Sequence, residues 1–173
     1  MKFRMLLAIT LLAAGCATTS RNQKLTDPQI AMVMRVANIS EVREGELARE
    51  KSGTPSVRDF GAMMVTEHTA QNNKAESELS RVNINSEDTP LSRQIDADSG
   101  AATDRLRGMS GAAFDRAYID RQVEVHHYVV GLIDSTLMPN ARKKVLRDQL
   151  TVLRKLVDTH LTKARQIQAS VPR

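Results

Sequence analysis

Four stretches of this chain place apolar residues at steps of three, four or seven, the spacing of one face of an α-helix, and each stripe carries one residue able to bind a proton or a metal. Four such stripes have to be buried against one another, so the expected fold is an all-α bundle. The clearest stripe is Val57, Gly61, Met64, His68, Ala75, Leu79 and Val82. Before it come Ile30, Met34, Ala37, Glu41, Gly45 and Ala48; after it come Ile119, Val123, His126, Val130, Ile133 and Leu137. The last is Leu146, Leu150, Leu153, Val157, His160, Ala164 and Ile167. With 41% apolar residues, 3% aromatics and no Trp, the composition suits helices rich in Ala, Leu, Val and Met.

Helix-start and helix-stop residues divide the chain between the stripes. Thr26-Asp27-Pro28-Gln29 reads as a capping box with Pro in the first turn, opening a helix that runs to about Lys51. Ser52-Gly53-Thr54-Pro55 is a break so short that the first two helices must be antiparallel neighbours. Glu41 and His68 are equidistant from the point between Thr54 and Pro55, which predicts that they lie at the same height. Asn83 to Met109 is long enough to travel the length of the bundle and leaves room for a short helix between Leu91 and Arg107. A crossover there gives a ferritin-like four-helix topology. Ser110 caps a third helix, Ala112 to about Leu137, and Met138-Pro139-Asn140 breaks the chain before a fourth, Ala141 to Ala169. A turn at Pro139-Asn140 would leave His126 and His160 up to roughly 10 Å apart in height, because their midpoint in sequence is Lys143.

The first residues read as an address. Lys2 and Arg4 precede an apolar run, Met5 to Ala14, too short to span a bilayer. Leu12-Ala13-Ala14-Gly15-Cys16 then resembles a bacterial lipoprotein cleavage site, with Cys16 as the lipidated residue. The expected layout is a leader over 1–15, a polar tether over 16–25 and one bundle domain over 26–170. Ala17 in place of Asp favours sorting to the outer rather than the inner membrane, with the domain facing the periplasm. Cys16 is the only cysteine, so disulfides and cysteine catalysis are excluded. The net charge of +5 falls to +3 once Lys2 and Arg4 leave with the leader. The charges alternate and no basic patch is interleaved with aromatics, so the membrane is the expected partner and nucleic acid is not; no protein partner can be named.

Glu41, His68, His126 and His160, one per helix and all inward, form a candidate site for one first-row metal ion, with Zn, Fe and Cu chemically open. The other reading is a structural or interaction module whose buried His/Glu network fixes helix register without metal. A di-iron oxidase is not expected: the residues three before the inward histidines are Val65, Val123 and Val157. Glu124 and His127 have the right spacing, but on the polar face. No complete catalytic motif is present, and an enzyme is not the favoured reading.

Several runs, taken in order, resemble one known family. They are Ala37-Asn38 with Glu41, Phe60 with Met64-Val65-Thr66-Glu67-His68, Ser110 to Tyr118 followed by Val123-Glu124-Val125-His126, and Leu156 with His160-Leu161. Together they resemble the bacterial domain of unknown function 4142 family over about Asp27 to Ala169. The resemblance implies a ferritin-like bundle in an exported, outer-membrane protein. It directs attention to His68, His126 and His160 and supplies no activity.

Overall fold

The computed structural model describes residues 24–172, and all of its regular structure is helical. Helix α1 spans Asp27–Lys51, α2 Pro55–Ser80, α3 Pro90–Arg107, α4 Gly111–Leu132 and α5 Lys144–Ser170. The leader and Cys16 lie outside the described residues. Leu25, at the end of the expected tether, is already packed into the core. No described helix is long and apolar enough to cross a membrane.

α1 begins as its sequence dictates. The Thr26 hydroxyl accepts from the Gln29 backbone N–H, and the Gln29 side chain accepts from the Thr26 N–H at 3.0 Å. Asp27, in the first turn of α1, has a second duty: its carboxylate accepts from the backbone N–H groups of Arg142 and Lys143, fastening the turn before α5 to the start of α1. At the other end of the bundle, Asp115 accepts hydroxyl bonds of 2.6 Å from Ser52 and Thr54, holding the α1–α2 turn against α4.

α1 and α2 pack more intimately than any other pair, because Gly45 meets Gly61. A Cβ on Gly61 would lie 2.7 Å from the Gly45 carbonyl oxygen, and one on Gly45 would lie 2.8 Å from that of Gly61. Neither glycine can be replaced without separating the helices. The seam therefore has a fixed register.

The long connection holds a full helix. Asn83, with φ of 57°, ends the turn after α2, and Thr89 with Ser92 caps α3. α3 lies along α1, joined by Ser99 to Glu44 and by Arg43 to Asp96. α1 is thus covered on two sides, which is why it buries Ala31, Val33, Asn38, Ser40 and Glu44 beyond its expected stripe.

Pro139 does not break the chain where expected. α4 continues through a π-helical turn, Ile133–Leu137, and one α-helical turn, Met138–Asn140. A proline removes one N–H and crowds the carbonyl four residues earlier; the wider turn supplies the room. The break falls instead at residues 141–143, so α5 starts late. That brings His126 and His160 level, with ring centroids 5.5 Å apart.

The core divides into two apolar clusters. One contains Ile30, Met34, Leu79, Ile133 and Leu150; the other Val57, Phe60, Met64, Phe114 and Tyr118. Between them runs a polar layer drawn from every long helix of the bundle.

Candidate metal centre

His68 from α2, His126 from α4 and His160 from α5 meet in that layer, with one ring nitrogen from each inside a group no more than 4.8 Å across. All three are at most 2% exposed. Phe60 covers the side toward Tyr118, with its ring 6.3 Å from that of His126 and 6.4 Å from that of His160.

The bonds around the rings assign their protons. His126 Nδ1 lies 2.9 Å from the backbone carbonyl of Gln122, and a carbonyl only accepts, so Nδ1 carries the hydrogen. Its Nε2 then bears a lone pair, and this buried atom has no partner. His68 Nδ1 lies 2.9 Å from the amide oxygen of Asn38, which fixes the same tautomer and leaves Nε2 with a lone pair. His160 Nε2 lies 2.9 Å from Glu67 Oε2, and its Nδ1 lies 3.2 Å from His68 Nε2. A neutral imidazole has one hydrogen for these two contacts. If Nε2–H donates to Glu67, two lone pairs face each other at 3.2 Å, a spacing that a cation between them relieves.

Burial keeps the rings neutral. It pushes His126 down to about 3, with His160 adding to the effect, and it pushes His68 well below the ordinary histidine range, with His126 and His160 adding. Burial lowers His160 as well, against the opposing pull of its hydrogen bond and charge interaction with Glu67. Three neutral imidazoles are the protonation state that metal coordination requires.

Glu41 does not join the three. Its carboxyl is buried and lines a cavity beside His68 and His126, and Oε2 has no partner. The expected level pairing of Glu41 with His68 is replaced by Asn38 with His68. The Gly45–Gly61 contact sets the register, and Asn38 and His68 lie two turns further along their helices, from 45 back to 38 and from 61 on to 68. The turn therefore centres on Gly53, not between Thr54 and Pro55. Burial, and then the neighbouring Glu44 charge, push the Glu41 carboxyl up to about 8.

Glu44 is the ionic partner in this layer. Arg121 reaches both of its oxygens, at 2.9 and 3.0 Å, and Ser99 and Gln122 donate to it as well. Burial works against the Arg121 charge, but Glu44 and Asp98 more than offset it and raise its pKa. Glu124 and His127 are exposed, as their place on the polar face predicts.

Sequence periodicity missed Glu67, Asn38 and Gln122. Glu67 sits beside His68 and so points off the stripe, yet it is the carboxylate that orients His160 on the neighbouring helix. Asn38 and Gln122 fall outside a stripe drawn from apolar residues alone.

The fold and its central layer define a helical bundle with a buried three-histidine cluster, each ring oriented by a second group. The chain belongs to the family described as domain of unknown function DUF4142, whose model matches residues 13–167. Comparison with curated proteins and with solved structures gave no match.

Proposed function

We propose that this domain binds a single first-row metal ion, Zn(II) or copper, through His68, His126 and His160. One observation carries the reading: the buried Nε2 of His126 has a lone pair and no partner, beside two more ring nitrogens in the same small space. A buried polar atom left without a partner costs about 1–3 kcal/mol, and a metal ion removes that cost. Tetrahedral nitrogen ligands at zinc distances are roughly 3.3 Å apart. The 3.2 Å between His68 and His160 fits as it stands, and His126 needs to move inward. Glu67–His160 supplies a carboxylate–histidine pair of the kind that orients metal ligands. Three nitrogens without a carboxylate ligand favour zinc or copper over iron.

We read the bundle as ferritin-like in topology, supported by the chain order of two helical pairs, α1–α2 and α4–α5, with α3 in the connection between them, and the whole as a lipid-anchored envelope protein facing the periplasm. A single buried ion suits sequestration or sensing better than bulk storage. Metal analysis of protein purified without chelators tests the site: near-stoichiometric metal is expected, and none in the His68→Ala/His126→Ala/His160→Ala variant. A metal-free wild type that takes up neither Zn(II) nor Cu(II) leaves the network as a purely structural one. Palmitate incorporation that disappears on Cys16→Ser tests the anchor.

A further inference from the structure

The cavity that Glu41 lines does more than border the histidines. It has a volume of about 270 Å³ and is lined by His68 and His126 but not by His160 or Phe60, so it lies to one side of the cluster. Its inner end is polar and unsatisfied. Asn38 and Glu41, 1% and 6% exposed, both line it, and Asn38 Nδ2, Glu41 Oε2 and His126 Nε2 have no partners. Its walls are apolar: Ile95, Val125, Val129, Leu153 and Val157. At the outer end stand the exposed side chains of Asp98, Glu124 and Tyr128.

We infer that this cavity is a binding site for a small neutral molecule with a hydroxyl head on an apolar body, of the phenol class, whose oxygen reaches the metal position over His68 and His126. The inference rests on the metal reading above. Three histidines leave the ion an open position, and the cavity adjoins two of them. A hydroxyl oxygen can take a bond from Asn38 Nδ2 while its O–H donates to Glu41, meeting two of the four unpartnered atoms of the lining, Ser40 Oγ being the fourth. The apolar walls accept the body of such a molecule, in the manner of small-molecule pockets with a few converging polar groups. Arg121 also lines the cavity, but Glu44 and Asp98 hold it at 2.9 and 3.0 Å, so the Glu124 charge at the mouth disfavours an anion and leaves a neutral compound unhindered.

The test uses Co(II)-loaded protein, whose visible absorption reports the ligand field. Phenol is expected to change the spectrum saturably, while toluene and benzoate do not compete with it. Val125→Trp, which fills the cavity from one of its apolar walls without altering a histidine, should keep the Co(II) spectrum and weaken phenol binding by about tenfold or more. Glu41→Leu, which removes the acceptor, should also keep the spectrum and weaken phenol by about tenfold. A normal Co(II) spectrum that phenol leaves unchanged overturns the ligand site alone. Toluene binding as well as phenol overturns the role of the polar end. No Co(II) spectrum at all overturns the metal reading beneath it.

Discussion

Across the α1–α2 seam, Asn38 stands level with His68 and takes its Nδ1 hydrogen at 2.9 Å. The pairing follows from the glycine contact two turns away, not from the loop. Because Asn38 fixes which nitrogen of His68 bears the lone pair, Asn38→Ala is expected to lower Zn(II) affinity about tenfold or more. It should cost about 1 kcal/mol of stability for the lost bond. Titration calorimetry and denaturant unfolding of the same variant measure the two effects separately.

Glu67 holds His160 from the other side of the cluster, at 2.9 Å. Its side chain is 43% exposed, so Glu67→Ala should leave the fold nearly as stable as before. Zn(II) affinity should fall by about 10- to 100-fold, as is usual when a group orienting a metal ligand is removed. Equal loss of stability and affinity would mean that Glu67 acts on the fold and not on the site.

The seam itself is tested at Gly61. Alanine there puts a methyl group 2.7 Å from the Gly45 carbonyl and 2.8 Å from the Ala48 Cβ, and backbone cannot yield as a side-chain tip does. Gly61→Ala should destabilise the protein by about 2 kcal/mol by overpacking. Gly131, whose added Cβ meets nothing within 4 Å, provides the contrast: Gly131→Ala should be neutral or stabilising. Thermal unfolding of the two variants distinguishes them.

Stability of the metal-free protein should peak near neutrality. His126 is neutral in the fold down to about 3, and His68 and His160 are also lowered, whereas all three titrate near the ordinary histidine value of 6.5 when unfolded. Below 6.5 the unfolded chain binds more protons, so stability falls with falling pH until the folded values are reached. Glu41 has the opposite sign. Its folded value of about 8 exceeds the ordinary glutamate value of 4.5, so its contribution is full below 4.5 and is lost as pH rises to about 8. Melting temperatures across this range should show both limbs, and Glu41→Gln should flatten the alkaline one.

Much of the layer was legible in the sequence because helical periodicity is. Of the stripe beginning at Val57, every residue through Leu79 is buried, and every member of the α5 stripe is buried, with the histidines where the spacing put them. Val82 falls beyond the end of α2 and is exposed, since periodicity does not mark where a helix stops. The errors lie in register. Thr54 and Pro55 point to a turn centre between them, but the close approach of two glycines sets the seam, and a glycine on a stripe does not announce its partner. Pro139 reads as a break because a π-turn leaves no local signature in composition. The partners of the histidines stayed hidden for a related reason: an apolar stripe locates what a helix buries, not which polar side chain of a neighbouring helix reaches it.

The central claim is that His68, His126 and His160 hold one metal ion in the folded bundle. Thermal unfolding of chelator-treated protein with and without Zn(II) tests it most directly, since an ion that binds only the folded state raises stability by about 2.7 kcal/mol at a free concentration 100 times its dissociation constant. A rise in melting temperature that saturates at one Zn(II) per chain, and is absent from His126→Ala, is the expected result. A melting temperature that Zn(II) and Cu(II) leave unchanged, in a wild-type protein that unfolds cooperatively, would contradict it.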